Sequence, residues 1–255
     1  DGFQAGISAG ASNKFINCRS WDNSDDGYDN FANYNDVTYI DCVAWNNGNP
    51  EVCIGLYDYK NGMELDENME MIKLICKNDP NFKSNFKSGN YSYTADSFIN
   101  VTLGEQEHMI GVADFIGKYW AGNPNAFKLG SNDSPHGPQV GPEAKRTLIN
   151  CVAFEHIEKG IDRNGGIATI YLENCISYGN GRNYYIDKMT VEKFVNAIGF
   201  SGKTADIMAK ECSIVSPNAD TQRKIRYYIE QKKKYVKDMV QNNKIPGEVI
   251  FYPDL

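Results

Sequence analysis

Nothing in this sequence is long and apolar enough to suggest a membrane span, since no run of about 18 apolar residues occurs. An excess of basic charge is missing too. Lys and Arg number 26 against 33 Asp and Glu, a formal net charge of -7, which argues against a nucleic-acid partner. Histidines are few, three in all. The seven cysteines contain no CxxC pair and are odd in number, so a zinc ribbon, a thioredoxin-like redox site and a disulfide scaffold are all unsupported. They read instead as small buried hydrophobes. An initiating methionine and a visible signal peptide are also lacking. The chain begins at Asp1, which reads as a mature product or as a piece of something longer.

What is present is a repeat. "KFINCRSW", "TYIDCVAW", "TLINCVAF" and "YLENCISY" share an apolar run, then Asn or Asp, then Cys, then an aromatic residue three positions on. Cys18 and Cys42 are 24 residues apart, as are Cys151 and Cys175, and "IMAKECSIV" around Cys212 resembles a decayed copy. A second landmark keeps step. Phe3, Tyr28 and Ile161 stand 15, 14 and 14 residues ahead of Cys18, Cys42 and Cys175. A period near 24 with short alternating strands and Asn- and Gly-rich turns predicts coils of a parallel β-helix, in which each side chain stacks on its copy in the next coil. The LxxLxL pattern of a leucine-rich repeat is absent, and a β-sandwich does not require this register. Trp21 and Trp45 fall at the repeat's aromatic position and are expected to stack on each other rather than on sugar.

The whole of 1–255 reads as a single β-helix domain with two interruptions. Residues 57–120 break the period as a partly helical insertion. Within it, Asp66 would cap one helix carrying Met69, Ile72, Ile75 and Cys76, and "EQEHMIGVADFIGKYW" would form another. Residues 218–243 form a capping helix with Ile225, Tyr228, Ile229, Tyr235, Val236 and Met239 near one face, covering the side or the open end of the solenoid. The Pro- and Gly-rich stretch Ser131 to Arg146 is an excursion from one turn.

"CRSWDNSDDGYDNF" then stands out. Asp22, Asp25, Asp26 and Asp29 crowd into eight residues beside core-like side chains. In a β-helix register, Asp1 comes one coil away from Asp26. Carboxylates this dense raise one another's pKa unless a cation is present. Calcium accepts several carboxylates in a flexible oxygen shell, whereas zinc would want the histidines that are missing here. The alternative is a solvated acidic turn.

"DGFQAGISAGASNKFINCRSWDNSDDGYD" resembles the central motif of the family 9 polysaccharide lyases, pectate lyases built on a right-handed parallel β-helix. "NAFKLG" is similar to that family's Gly-Phe-Lys-Leu-Gly segment, and the likeness runs on through "LINCVAFEHIEKGIDRNGG" and "IYLENCISYGNG". The resemblance implies calcium ligands at Asp1, Asp25, Asp26 and Asp29, and a catalytic base at Lys128. It also implies a secreted or extracellular enzyme, a monomer, acting on an acidic polysaccharide such as pectate or polygalacturonate. Departures are Gly6 where the family carries a lysine, Ala126 for glycine and Tyr28 for tryptophan, together with a long insertion and no coils ahead of Asp1. The chain therefore reads as a C-terminal portion of a longer protein.

β-Elimination removes the C5 proton of a uronate, so the lysine must act as the neutral amine, and an alkaline optimum is expected. The leaving oxygen has no evident proton donor, since His136 and His156 are near only in sequence. Lys159 and Arg182 are candidates for holding substrate carboxylates. A carbohydrate-binding β-helix without catalysis and a β-helix glycoside hydrolase with paired carboxylates are the rival readings.

Overall fold

Alternating apolar and polar residues make short strands, and Asn, Asp and Gly make the corners between them. In the computed structural model, which describes residues 1–7, 9–23, 25–48, 98–103, 106–111, 124–132 and 137–242, these pieces close into coils. The first coil holds β1 (Phe3–Gln4), β2 (Asn13–Ile16) and β3 (Arg19–Trp21), and the second β4 (Tyr28–Asp29), β5 (Val37–Ile40) and β6 (Val43–Trp45). A hairpin of β7 (Phe98–Leu103) and β8 (Gln106–Gly111) intervenes. The third coil is β9 (Phe127–Lys128), β10 (Lys145–Ile149) and β11 (Val152–Phe154). The fourth is β12 (Lys159–Asp162), β13 (Thr169–Glu173) and β14 (Ile176–Tyr178), and the fifth β15 (Arg182–Tyr185), β16 (Thr190–Val195) and β17 (Ile198–Phe200). Like strands pair in parallel from coil to coil, which gives three five-stranded sheets, β1-β4-β9-β12-β15, β2-β5-β10-β13-β16 and β3-β6-β11-β14-β17. This is the parallel β-helix the 24-residue period predicts. The decayed copy around Cys212 adds only two parallel bridges, Tyr185 to Ile207 and Ile198 to Val215.

Identical positions stack as the period requires. Phe3, Tyr28 and Phe127 lie face to face inside, with ring centroids 5.3 and 4.8 Å apart. Cys42, Cys151 and Cys175 are buried beside them, each a free thiol. Trp21 stacks on Trp45 at 5.0 Å, and Trp45 on Phe154 at 5.7 Å. The residue before Cys18, Cys42, Cys151 and Cys175 adopts a left-handed conformation, as does Asn196 before Ala197 at the same corner of the fifth coil, with φ between 51° and 60° at Asn17, Asp41, Asn150, Asn174 and Asn196. Asn and Asp tolerate that region best among residues with a side chain. The side chains then form a ladder across the corner. Asn150 donates to Asp41 at 2.9 Å, Asn174 to Asn150 at 3.3 Å and Asn196 to Asn174 at 3.0 Å. This is the physical meaning of the Asn or Asp before Cys18, Cys42, Cys151 and Cys175.

The C-terminal helix, α1 (Ala219–Asn242), lies along the side of the solenoid. Ile225 and Ile229 are buried against the outer surface of the sheet that carries Trp45, Phe154, Ile176 and Phe200. A correction concerns the insertion. The stretch beginning at Glu105, expected as a helix, opens as strand β8, antiparallel to β7. The run Phe98, Ile99, Val101 and Thr102 is rich in aromatic and β-branched residues, and a strand made from it offers the next segment a hydrogen-bonding edge that outweighs helical periodicity. The helix expected after Asp66, most of 57–120 and His136 lie outside the described residues.

Candidate functional site

Register decides what meets on the first sheet. Inward positions run Phe3, Tyr28, Phe127, Ile161, Tyr184, and the outward neighbours run Gln4, Asp29, Lys128, Asp162, Tyr185. One coil brings Asp29 beside Lys128, although they are 99 positions apart in sequence. The corner ahead of these strands carries the other acids. Gly2 donates its N–H to the Asp26 carbonyl at 2.9 Å, and Gly27 donates to that of Asn125 at 2.8 Å, so Asp1, Asp26 and Asn125 sit at equivalent points of successive coils. The turn is tight enough to require glycine after Asp26. A Cβ on Gly27 would lie 2.6 Å from Asn47 Nδ2 and 2.8 Å from the Ala126 carbonyl.

Carboxylate oxygens of Asp1, Asp25 and Asp26 lie within 4.8 Å of one another, with Asp1 exposed, Asp25 half-buried and Asp26 buried. Asp29 is not in that group. Its Oδ1 accepts the Phe31 N–H at 2.8 Å, its Oδ2 accepts from Gln4 Nε2 at 3.0 Å, and Lys128 Nζ stands 3.6 Å away. Asp26 Oδ1 is held by the backbone N–H and the side-chain amide of Asn125, at 2.9 and 2.8 Å. Its Oδ2 is buried and ion-paired with the Lys128 ammonium 2.8 Å away. Asp22 stands apart, accepting from Asn46 at 2.5 Å on a corner of the neighbouring turn.

The electrostatics follow from burial and crowding. Burial, with the charge of Asp25 second, pushes the Asp26 carboxyl up to about 7 against the pull of Lys128. Burial draws the Lys128 ammonium down, but Asp26, Asp29 and Asp25 together outweigh it and raise its pKa. Without a cation on the acids, Lys128 is held charged. The donors at the cluster are oxygens alone, which fits a hard cation of the calcium type rather than zinc.

Two residues that sequence reasoning passed over shape this strip. Asn125 orients Asp26, and its Oδ1 accepts the Lys159 N–H at 3.2 Å, which couples three coils. Its position three residues before Lys128 in "NAFKLG" was the available signal. Arg146, fully buried in β10, donates to the Leu129 carbonyl directly after Lys128.

His156, near Lys128 only in sequence, is fully buried. It occupies a second corner ladder, at the place held by Asn23, Asn47 and Asn180 in other coils. There Asn23 N–H donates to Asn47 Oδ1 at 3.0 Å, and the His156 N–H donates to Asn180 Oδ1 at 2.9 Å. The ring leans toward the Ala44 carbonyl, yet neither nitrogen makes a hydrogen bond of ordinary geometry, and burial lowers its pKa to about 3. An asparagine there would accept the Asn47 N–H and donate to Ala44, as Asn180 donates to Ala153. His156→Asn is therefore expected to stabilise the protein by about 1 kcal/mol, one satisfied buried polar group. A lowered midpoint in urea unfolding would contradict this.

A parallel β-solenoid carrying a buried lysine against a cluster of carboxylates is the class that fold and site define. No protein-family model matches the chain. Over 184 residues it is 26% identical to pectate lyase L of Dickeya dadantii (strain 3937), and likewise to pectate lyase L of Dickeya chrysanthemi. The match takes in 72% of this chain but 27% of each relative, so the chain spans about a quarter of the length of the curated relatives it matches. The crystal structure of the pectate lyase Pel9A superposes with a TM-score of 0.41 at 20% identity, covering 80% of this chain and 34% of that one. The chain is a distant sequence relative of pectate lyases.

Proposed function

We propose that this chain carries the catalytic centre of an extracellular calcium-dependent lyase that cleaves pectate or polygalacturonate by β-elimination, with Lys128 as the base. The observation that carries the reading is the placement of Lys128 Nζ 2.8 Å from Asp26 Oδ2, beside three convergent carboxylates. Asp1, Asp25 and Asp26 would hold the cation, with Asp29 next to them on Lys128. Bound calcium would offset the acids' charge and polarise a substrate carboxylate, making the adjacent C5 proton more acidic. Lys128, released from the field that now keeps it protonated, takes that proton as the bond from C4 to the glycosidic oxygen breaks to leave a C4–C5 double bond, and water protonates the leaving oxygen. Gln4 and the Phe31 N–H keep Asp29 oriented, and Asn125 keeps Asp26 oriented, so the lysine stays fixed against the sheet.

Elimination leaves a conjugated unsaturated product that absorbs in the near ultraviolet, whereas hydrolysis leaves none. Incubation with polygalacturonate at alkaline pH is expected to give rising absorbance with calcium and none with chelator. New reducing ends without absorbance would point to a hydrolase instead and end the reading.

Metal linkage gives a second test. The Asp26 pKa is raised on folding, from the ordinary 3.8 to about 7, so the metal-free folded state binds the extra proton. Stability without metal is thus lost as pH rises through that window, by up to about 4 kcal/mol. Calcium needs the ionised carboxylate, so its stabilising effect grows over the same window. The calcium-induced rise in Tm is expected to be small in mild acid and full at alkaline pH. Asp26→Asn is expected to be the more stable protein without metal at alkaline pH and to lose the calcium response. An equal calcium response in Asp26→Asn would remove Asp26 from the site.

A further inference from the structure

Beyond Lys128, the outward face of the same sheet changes character. The next coil contributes Lys159 and Asp162, and the one after it Arg182 and Tyr185, with Lys159 in register with Arg182 and Asp162 with both Lys128 and Tyr185. Three cations surround the half-buried Tyr185 ring. Lys159 Nζ lies 5.8 Å from its centroid, and the guanidinium carbons of Arg163 and Arg182 each lie 5.1 Å from it. Two of the three are already paired, Lys159 with Asp162 at 3.1 Å and Arg163 with Asp187 at 2.5 Å. Arg182 is different. Its Nε donates to the Ala205 carbonyl at 2.8 Å, which fixes the guanidinium over the ring, and among the described residues no carboxylate forms an ion pair with it.

We infer that Arg182, held over the Tyr185 ring, forms a second sugar-binding position on the solenoid, in which the guanidinium takes a uronate carboxylate and the ring keeps the guanidinium in place. The inference rests on the polyuronate reading above. Within the Arg182 guanidinium only Nε is hydrogen-bonded among the described residues, and Glu158 and Asp206 act on it at longer range without an ion pair, so a guanidinium fixed in this way has Nη donors for a planar carboxylate. The position lies two coils from Lys128, roughly 10 Å at the usual strand spacing. An acidic chain bound there and at the aspartates therefore runs along the solenoid axis across Lys128, with carboxylates held by acids and cation at one end and by Arg182 at the other. That polarity also sets a preference. The subsite selects an unesterified carboxylate, because a methyl ester removes the charge that Arg182 recognises.

The test is binding of saturated hexagalacturonate, followed by calorimetry with calcium present, to Lys128→Ala protein so that nothing is cleaved. Adding Arg182→Gln is expected to weaken binding by about tenfold, and Arg182→Lys to restore it only in part, because the ammonium cannot engage both carboxylate oxygens. Tyr185→Ala is expected to weaken binding as well, with the Tm of each variant confirming that it folds. Undiminished affinity in folded Arg182→Gln overturns the subsite and leaves the lyase standing if the parent shows calcium-dependent absorbance. No binding of hexagalacturonate by the Lys128→Ala parent overturns both.

Discussion

Lys128→Ala is expected to lower the rate of polygalacturonate cleavage by roughly 10²–10⁴-fold, the usual worth of a positioned general base. The reason lies in placement. Lys128 is 7% exposed, at a point on the sheet where coil register sets Asp29 on one side and Asp162 on the other. An ordinary surface lysine would trail into solvent and its loss would cost nothing. This one is fixed between Asp26 at 2.8 Å and Asp29 at 3.6 Å, with its ammonium 5.4 Å above the Phe31 ring. The same variant removes the cation that competes for Asp26, so calcium is expected to bind at least as tightly as in the parent, read as the calcium-dependent rise in Tm. Lost cleavage with retained metal response separates a base from a structural lysine. A rate within tenfold of the parent would take the base assignment away from Lys128.

Arg146→Met is expected to cost roughly 3 kcal/mol or more, because it strips donors from several buried carbonyls at once. Arg146 is fully buried at a position whose neighbours in register are Val37 and Ile170, both core residues. Its Nε donates to the Leu129 carbonyl at 2.8 Å, one Nη donates to the Asn35 carbonyl at 2.6 Å, and the other to the Asn33 carbonyl. These bonds tie the turn after Asp29 in the second coil to the strand end after Lys128 and to β10 in the third. Methionine fills similar volume but leaves those carbonyls without donors. Burial lowers the guanidinium pKa to about 10, still high enough to keep it charged at neutral pH. A fall in Tm of roughly 6–12 °C is expected for a chain of this size. Arg146→Lys is not expected to rescue it, since one ammonium cannot reach carbonyls spread around a planar fork. A Tm within about 2 °C of the parent would show that water replaces the lost donors.

The two residues differ in how far sequence reveals them. Lys128 stands in "NAFKLG", one residue after an inward-facing aromatic, and a paired motif upstream points to it. Arg146 stands in "KRTLIN", where a charged residue at a strand start reads as solvent-facing. Only the convergence of three carbonyls from other segments makes its burial favourable, and no local pattern records that convergence. The aspartates fall between these cases. Their crowding in "NSDDGYD" is plain, yet sequence groups Asp29 with the cluster, whereas the structure turns its carboxylate toward Gln4, Phe31 and Lys128. Strand alternation explains this, because Asp29 follows the buried Tyr28 on β4 while Asp25 and Asp26 sit on the preceding corner. His156 is near the site only in sequence, and the asparagines at its place in neighbouring coils mark it as a corner residue.

The sequence by itself determined the coil. Its period near 24, its inward aromatics and cysteines, and its left-handed Asn and Asp corners are local chemistry repeated, and repetition forces stacking because each coil can bury its apolar face only on the next. The tertiary structure decided what the stack brings together. Asp26 and Lys128 are a hundred residues apart along the chain and 2.8 Å apart in space, because parallel pairing joins whichever coils become neighbours, whatever sequence lies between them. Ionisation was decided there too. The same carboxyl that would titrate near 3.8 in water is pushed up to about 7 by burial and by Asp25, and neither burial nor a neighbour from another segment exists until the chain has folded.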